Sequence, residues 1–293
     1  MPIIEINNIT KDYGNGHGNF GLNLSIKKGE VIGFVGTNGS GKTTLIRQIM
    51  GFLRPDSGNI SINGLNAWKD AAEIKKLIGY LPGEISFPDA PTGSVFLKRQ
   101  AELLGLKDMS YANQITKTLQ LDPTANLKRM SKGMKQKTAI VAAFMANHQI
   151  LILDEPTTGL DPLMRAEFIK LILAEKEKGK TIFMSSHMFE EVEETCDRVI
   201  LIKDGKILAE KSTQEIKHNQ EKVYMLEFIT PEDYKRFIHE PFNFAEQREE
   251  KNQIIIKING QEINKFLPAL KNYHLKYISE IKYSLEDYFK SLY

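Results

Sequence analysis

The stretch GTNGSGKTT, Gly36 to Thr44, constrains this chain more than any other. It follows the short apolar run VIGFV and opens TLIRQIMGFL, which has helical spacing. Strand, glycine-rich loop and helix, in that order, is the context in which G-x-x-x-x-G-K-[ST] binds phosphate. Gly36, Gly39 and Gly41 let the backbone curl, so that successive N–H groups converge on phosphate oxygens. The helix N-terminus adds its dipole. Lys42 is placed to reach β- and γ-phosphates, and the Thr43 hydroxyl to ligate Mg²⁺. Asn38, Ser40 and Thr44 complete the set of nucleotide-contacting positions. The loop implies a nucleoside triphosphate but not its use, because kinases, GTPases, helicases and transport ATPases share it.

The surrounding pattern gives the fold class. IIEINNIT and NFGLNLSIKKGE alternate apolar and polar residues and predict antiparallel strands. QILILDE, TIFMSS and DRVILIKDG are apolar runs too short for helices, and helical segments separate them. That alternation predicts an α/β fold with a parallel sheet buried on both faces. Asp204-Gly205 predicts a hairpin into KILAE. GYLPGE, residues 79 to 84, reads as a bend after a helix over 71–77, with Pro82 and Gly83 setting the turn. Residues from about 90 to 147 read mostly as helix.

Near residue 211 the composition changes and tyrosines become frequent. STQE has capping-box form and predicts a short charged helix. Beyond it come strand KVYMLEFI, helix TPEDYKRFI with Thr230 as cap and Pro231 in its first turn, strands at FNFAEQ and NQIIIKI, helix QEINKFLPAL, strand LKYISEI and helix SLEDYFKSL. The predicted organisation is a nucleotide-binding domain over 1–210, with a helical part at about 84–147, and a small α+β domain over 211–293.

A second group of chemical residues lies in ILILDEPTTGLDP. Its strand carries Asp154 to the C-terminal edge, where open α/β sheets bind ligands. Asp154 suits the Mg²⁺ shell. Glu155, on the opposite strand face, suits proton acceptance from an attacking water. His187 follows TIFMSS at the next strand edge, within reach of a γ-phosphate or that water.

Together these residues resemble the ATP-binding subunit of an ABC transporter over roughly residues 1 to 210. GTNGSGKTT is similar to the family's Walker A and ILILDEP to its Walker B, with Glu155 as catalytic base. TGLD with Asp161 is similar to the D-loop, and SSH with His187 to the switch histidine. Tyr13 in KDYG looks like the aromatic that stacks on adenine. MSKGMKQK stands where the family has its signature segment. Ser131 and Gly133 match it, while Lys132 and Met134 depart from the commonest form. In the family this helix start contacts the γ-phosphate held by the opposite subunit. Lys132 and Lys135 either add charge there or are solvated.

The resemblance implies a P-loop ABC ATPase core of mixed, mainly parallel sheet. An antiparallel β-subdomain and a helical subdomain accompany it. It also implies ATP and Mg²⁺ as cofactors, a second ATP-binding subunit, and a separate multispanning permease of the ABC-2 exporter type at the cytoplasmic face of the membrane. Translation or repair ATPases and nucleotide-dependent regulators are the alternatives. One point departs from the pattern. Gly83 occupies the place of the family's loop glutamine, and glycine offers no ligand. Either Glu84 substitutes for it or Glu84 faces solvent or the permease. The C-terminal tyrosines build a dimer interface, a ligand site or simply a core.

Totals exclude other classes. The net charge of +2 gives no nucleic-acid footprint. The single cysteine, Cys196, permits no internal disulfide and fits the cytosol. MPIIEINNIT lacks the form of a signal peptide. AIVAAFMA is far below the roughly 20 apolar residues that span a bilayer.

Overall fold

The computed structural model describes residues 2–217, 221–260, 262–281 and 285–286. The chain divides into two compact units, Met1–Thr213 and Gln214–Tyr293. In chain order the first contains β1 (Pro2–Gly14), β2 (His17–Lys27), β3 (Val31–Val35), α1 (Lys42–Ile49), β4 (Ser57–Ile62), β5 (Leu65–Asn66), α2 (Ala71–Lys75) and β6 (Ile78–Leu81). Then come α3 (Gly93–Leu103), α4 (Ser110–Thr118), α5 (Lys132–Phe144), β7 (Ile150–Asp154), α6 (Pro162–Glu177), β8 (Thr181–Ser186), α7 (Phe189–Thr195), β9 (Arg198–Lys203) and β10 (Lys206–Ser212). The short helix α8 (Thr213–Lys217) follows.

The central sheet has the order β10-β9-β3-β8-β7-β6. All neighbours are parallel except the β9–β10 hairpin. Every residue of β3, β7 and β8 is buried, as expected of strands covered on both faces. The parallel direction brings the C-terminal ends of β3, β7 and β8 together, so the phosphate loop, Asp154 and Ser186 share one edge. A second sheet, β2-β1-β4-β5, is antiparallel. The hairpin at Asp204-Gly205 forms with both residues at positive φ.

One strand departs from the sequence reading. Ile78–Leu81 is not part of a bend; it is β6, the edge strand parallel to β7. The run is only four residues long and Gly79 interrupts it, so its local signal is weak. Glycine is required there by packing, because a Cβ would collide with the Ala143 carbonyl at the end of α5. The bend itself begins at Pro82.

A buried polar cluster ties the helical part to the core. Glu175 of α6 accepts from the Tyr111 hydroxyl of α4 at 2.6 Å and from Lys178 at 2.6 Å, and it pairs with buried Lys180. Lys180 also donates to Asn147 at 2.6 Å. Burial opposes the Glu175 charge, but these three donors win and hold its carboxyl below the usual range.

The second unit is a four-stranded antiparallel sheet, β12-β13-β11-β14. It is formed by β11 (Glu221–Phe228), β12 (Asn243–Arg248), β13 (Gln253–Asn259) and β14 (Leu275–Ile281), with helices α9 (Pro231–Phe237) and α10 (Ile263–Ala269). Thr230 caps α9 by accepting from the Asp233 N–H, with Pro231 in the first turn, a cap worth about 1 kcal/mol. Leu226, Phe228, Phe237, Ile254, Ile256, Ile258 and Phe266 form its core. Tyr234 is buried in it, and Tyr224 and Tyr273 pack against it. The helix expected at SLEDYFKSL lies outside the described residues apart from Leu285 and Glu286, which are helical.

Candidate functional site

The phosphate loop bends back over the end of β3. Gly41 opens α1 at φ 108°, in the region that favours glycine, and a Cβ there would strike the Asn19 side chain. Gly36 is equally confined, with Ser40 and Ile202 against it. Thr37, Asn38 and Gly39 are exposed at the crest, Thr43 and Thr44 are half-buried, and Ser40 is enclosed with an unpartnered Oγ. Lys42 is only 6% exposed. Its ammonium donates to the carbonyls of Gly36 at 2.7 Å and Thr37 at 3.2 Å. It also stands 3.2 Å from Glu155 Oε1.

Asp154 ends β7 and is fully buried. Its Oδ1 accepts from the Ser185 hydroxyl at 2.5 Å, while Oδ2 is enclosed without a hydrogen bond. Burial pushes this carboxyl up, and the Ser185 and Thr43 hydroxyls pull it partly back. A buried, unpaired carboxylate oxygen beside a hydroxyl is a hard-oxygen donor set, and it fits Mg²⁺.

Glu155 does not continue the strand, as the sequence reading assumed. It sits at φ 49°, in the left-handed region. For a side chain of this kind that conformation costs about 1–3 kcal/mol. The strain coincides with a carboxylate held between two partners. Oε1 faces Lys42, and Oε2 lies 2.5 Å from His187 Nδ1. The Glu155 N–H donates to the Ser185 hydroxyl at 3.0 Å. His187 is half exposed.

The structure thus gathers Lys42, Thr43, Asp154, Glu155 and His187 at one sheet edge. It does not bring Ser131, Gly133 or Asp161 into contact with them. Ser131 caps α5 by accepting from the Met134 N–H at 3.2 Å, and Asp161 caps α6 by accepting from the Met164 N–H at 3.0 Å. The start of α5 packs against Gly159, in the turn that leads to Asp161. A Cβ at Gly133 would lie 2.9 Å from the Gly159 carbonyl, and the Lys132 stem covers Gly159. Tyr13 is exposed on β1. The neighbouring pair Asp12–Gly18 leads to Gly18 and Asn19, which abut Gly41.

The bend after β6 bears on the two readings of Glu84. Glu84 is exposed and, among the described residues, makes no hydrogen bond or ion pair. The residue that approaches the site is Gly83. A Cβ there would stand 2.9 Å from Asp154 Oδ2. At this position the chain therefore approaches the Asp154 carboxylate without a side chain of its own.

Two residues of the site escaped the sequence reading. Ser185 joins Asp154 to Glu155, and its signal was the polar pair closing an otherwise apolar β8. Gln136, buried in α5, donates to the Pro156 carbonyl at 2.7 Å and so links the signature helix to the turn after Glu155.

Comparison with known proteins agrees with this geometry. The family described as ABC transporter matches residues 20–158. The bacitracin transport ATP-binding protein BcrA of Bacillus licheniformis is 33% identical over 99% of this chain and 97% of its own length. The linearmycin resistance ATP-binding protein LnrL of Bacillus subtilis (strain 168) is 35% identical over 71% of this chain and 68% of its own. Among solved structures, the dimeric post-hydrolysis state of the ATP-binding cassette MJ0796 bound to ADP and Pi overlays with a TM-score of 0.65. It is 25% identical and covers 72% of this chain and 98% of that one. With the phosphate loop, the acidic pair and the histidine on one sheet edge, the chain belongs to the ATP-binding subunits of ABC transporters, the ATPases of those systems.

Proposed function

We propose that this subunit powers export of a substrate through a separate membrane permease, by closing head to tail with a second ATP-binding subunit and reopening after hydrolysis. The observation that carries the chemistry is the chain of contacts Lys42–Glu155–His187 beside Asp154. Glu155 is the base that takes the proton of the attacking water, and His187 orients its carboxylate. Lys42 leaves Oε1 for the β- and γ-phosphates when ATP arrives, so the base is released only where phosphate is present. The glycine-rich loop from Gly36 to Thr44 wraps the phosphates and Tyr13 stacks on adenine. Asp154 and Thr43 would hold Mg²⁺, which neutralises charge on the β- and γ-oxygens. Ser131, Gly133 and Asp161, free of the local catalytic group, face the nucleotide of the second subunit.

Among the described residues no helix is long and apolar enough to cross a membrane; in this reading a separate permease supplies the membrane path. The subunit then works at the cytoplasmic face. Two of its relatives are named for bacitracin transport and linearmycin resistance, which favours an antimicrobial compound as cargo. The unit from Gln214 onward supports the dimer. Sedimentation of the Glu155→Gln variant with MgATP tests the closure: a dimer is expected, and a monomer at saturating ATP overturns it. Co-purification with a multispanning membrane protein tests the partner.

A further inference from the structure

A third acid is enclosed at this sheet edge. Glu191 lies in the first turn of α7 and is 2% exposed. Its two oxygens take hydroxyls from two different segments, the end of β8 and the turn after Glu155. Oε1 accepts from Ser186, the residue before His187. Oε2 accepts at 2.6 Å from Thr157, two residues past Glu155. The Ser186 hydroxyl in turn accepts from the Met188 N–H at 2.8 Å, so both neighbours of His187 are held. Thr157 is itself buried. It lies in the turn closed by the Thr158 N–H on the Glu155 carbonyl and the Leu160 N–H on the Thr157 carbonyl. That turn leads to Asp161.

Burial pushes the Glu191 carboxyl up, with the two hydroxyls pulling it partly back. An apolar side chain would fill the same space without that cost. What the acid supplies, and an apolar residue does not, is a pair of directional acceptors aimed at two segments. Glu191 makes no hydrogen bond with Glu155 or His187 themselves; it bonds to the residue before His187 and to the turn that follows Glu155.

We infer that Glu191 is a positioning residue for hydrolysis, a clamp that holds the His187 loop at a fixed distance from the turn leaving Glu155. It thereby sets the His187–Glu155 contact. This rests on Glu155 as base and His187 as its partner.

Steady-state ATPase kinetics on the full chain test it. Glu191→Ala should lower kcat about tenfold or more while leaving the KM for ATP within about twofold. Glu191→Gln keeps one acceptor oxygen and should recover most of the rate. Ser186→Ala and Thr157→Val each remove one hydroxyl, and each should lose a smaller part of kcat in a chain that keeps its carboxylate. In a His187→Ala background, Glu191→Ala should cost less than about twofold more, because residues acting through one another are not additive. A kcat for Glu191→Ala within twofold of the parent, or losses that multiply with His187→Ala, would overturn the clamp. Glu155→Gln measured alongside separates the causes. If it is inactive while Glu191→Ala is normal, only the clamp fails; if it stays active, the assignment of the base fails first.

Discussion

In the second unit Phe228, Phe237 and Tyr273 tile one core, with ring centroids 5.0–6.0 Å apart. The edge of β3, β7 and β8 in the first unit encloses Lys42, Asp154, Ser185, Ser186 and Glu191 instead. It also holds Glu155 at positive φ and leaves Ser40 Oγ and Asp154 Oδ2 without hydrogen bonds. Among the described residues, no such unpartnered buried side-chain atom occurs in the second unit. Apolar packing there is non-directional and self-sufficient. The first unit's edge is polar, strained and short of partners, which suits the proposed binding of phosphate and cation.

That contrast can be broken in order of expected effect. Phe237→Ala removes a fully buried ring from the second unit, and should cost its folding about 3–5 kcal/mol in a denaturant melt. The turnover of chains that remain folded should change little. A large loss of kcat with no loss of stability would mean the second unit shares in the chemistry.

Gly83→Ala places a Cβ 2.9 Å from Asp154 Oδ2. It should lower the ATPase rate about tenfold and raise the Mg²⁺ concentration needed for half-activity. Glu84→Ala, which removes an exposed carboxylate, should leave that Mg²⁺ dependence unchanged. The reverse ranking would place the ligand at Glu84 after all.

Tyr111→Phe is the smallest. It removes one of the donors that hold the Glu175 carboxyl low, at a cost of about 1 kcal/mol. A carboxyl depressed by folding stabilises above its unfolded pKa, and that contribution is lost as pH falls through the folded value. The deficit should therefore be full at neutral pH and vanish in acid. A deficit that grows on acidification would contradict the assignment.

Much of the fold was legible because its signals are local. The phosphate loop, the apolar runs of β3, β7, β8 and β9, and the Thr230-Pro231 helix start each carry their reason within a few residues. β6 was missed because four residues broken by Gly79 have little local preference, and only the neighbour β7 and the end of α5 make them a strand. In the site, residue types were legible and ties were not. The Ser185 bond to Asp154 spans 31 positions, and Gln136 to Pro156 spans 20. Such partners exist only after the sheet has formed. The left-handed turn at Glu155 was hidden for the same reason, since the surrounding contacts, not the local sequence, force it. Gly83 was recognised as a departure, and the structure gives it a place against Asp154.

The central claim is that Glu155 is the base at this edge, and its most direct measurement is MgATP turnover by Glu155→Gln with ATP affinity determined on the same preparation. A fall of about 10²–10⁴-fold in turnover with affinity retained is predicted. Hydrolysis within a few-fold of the parent chain would contradict it.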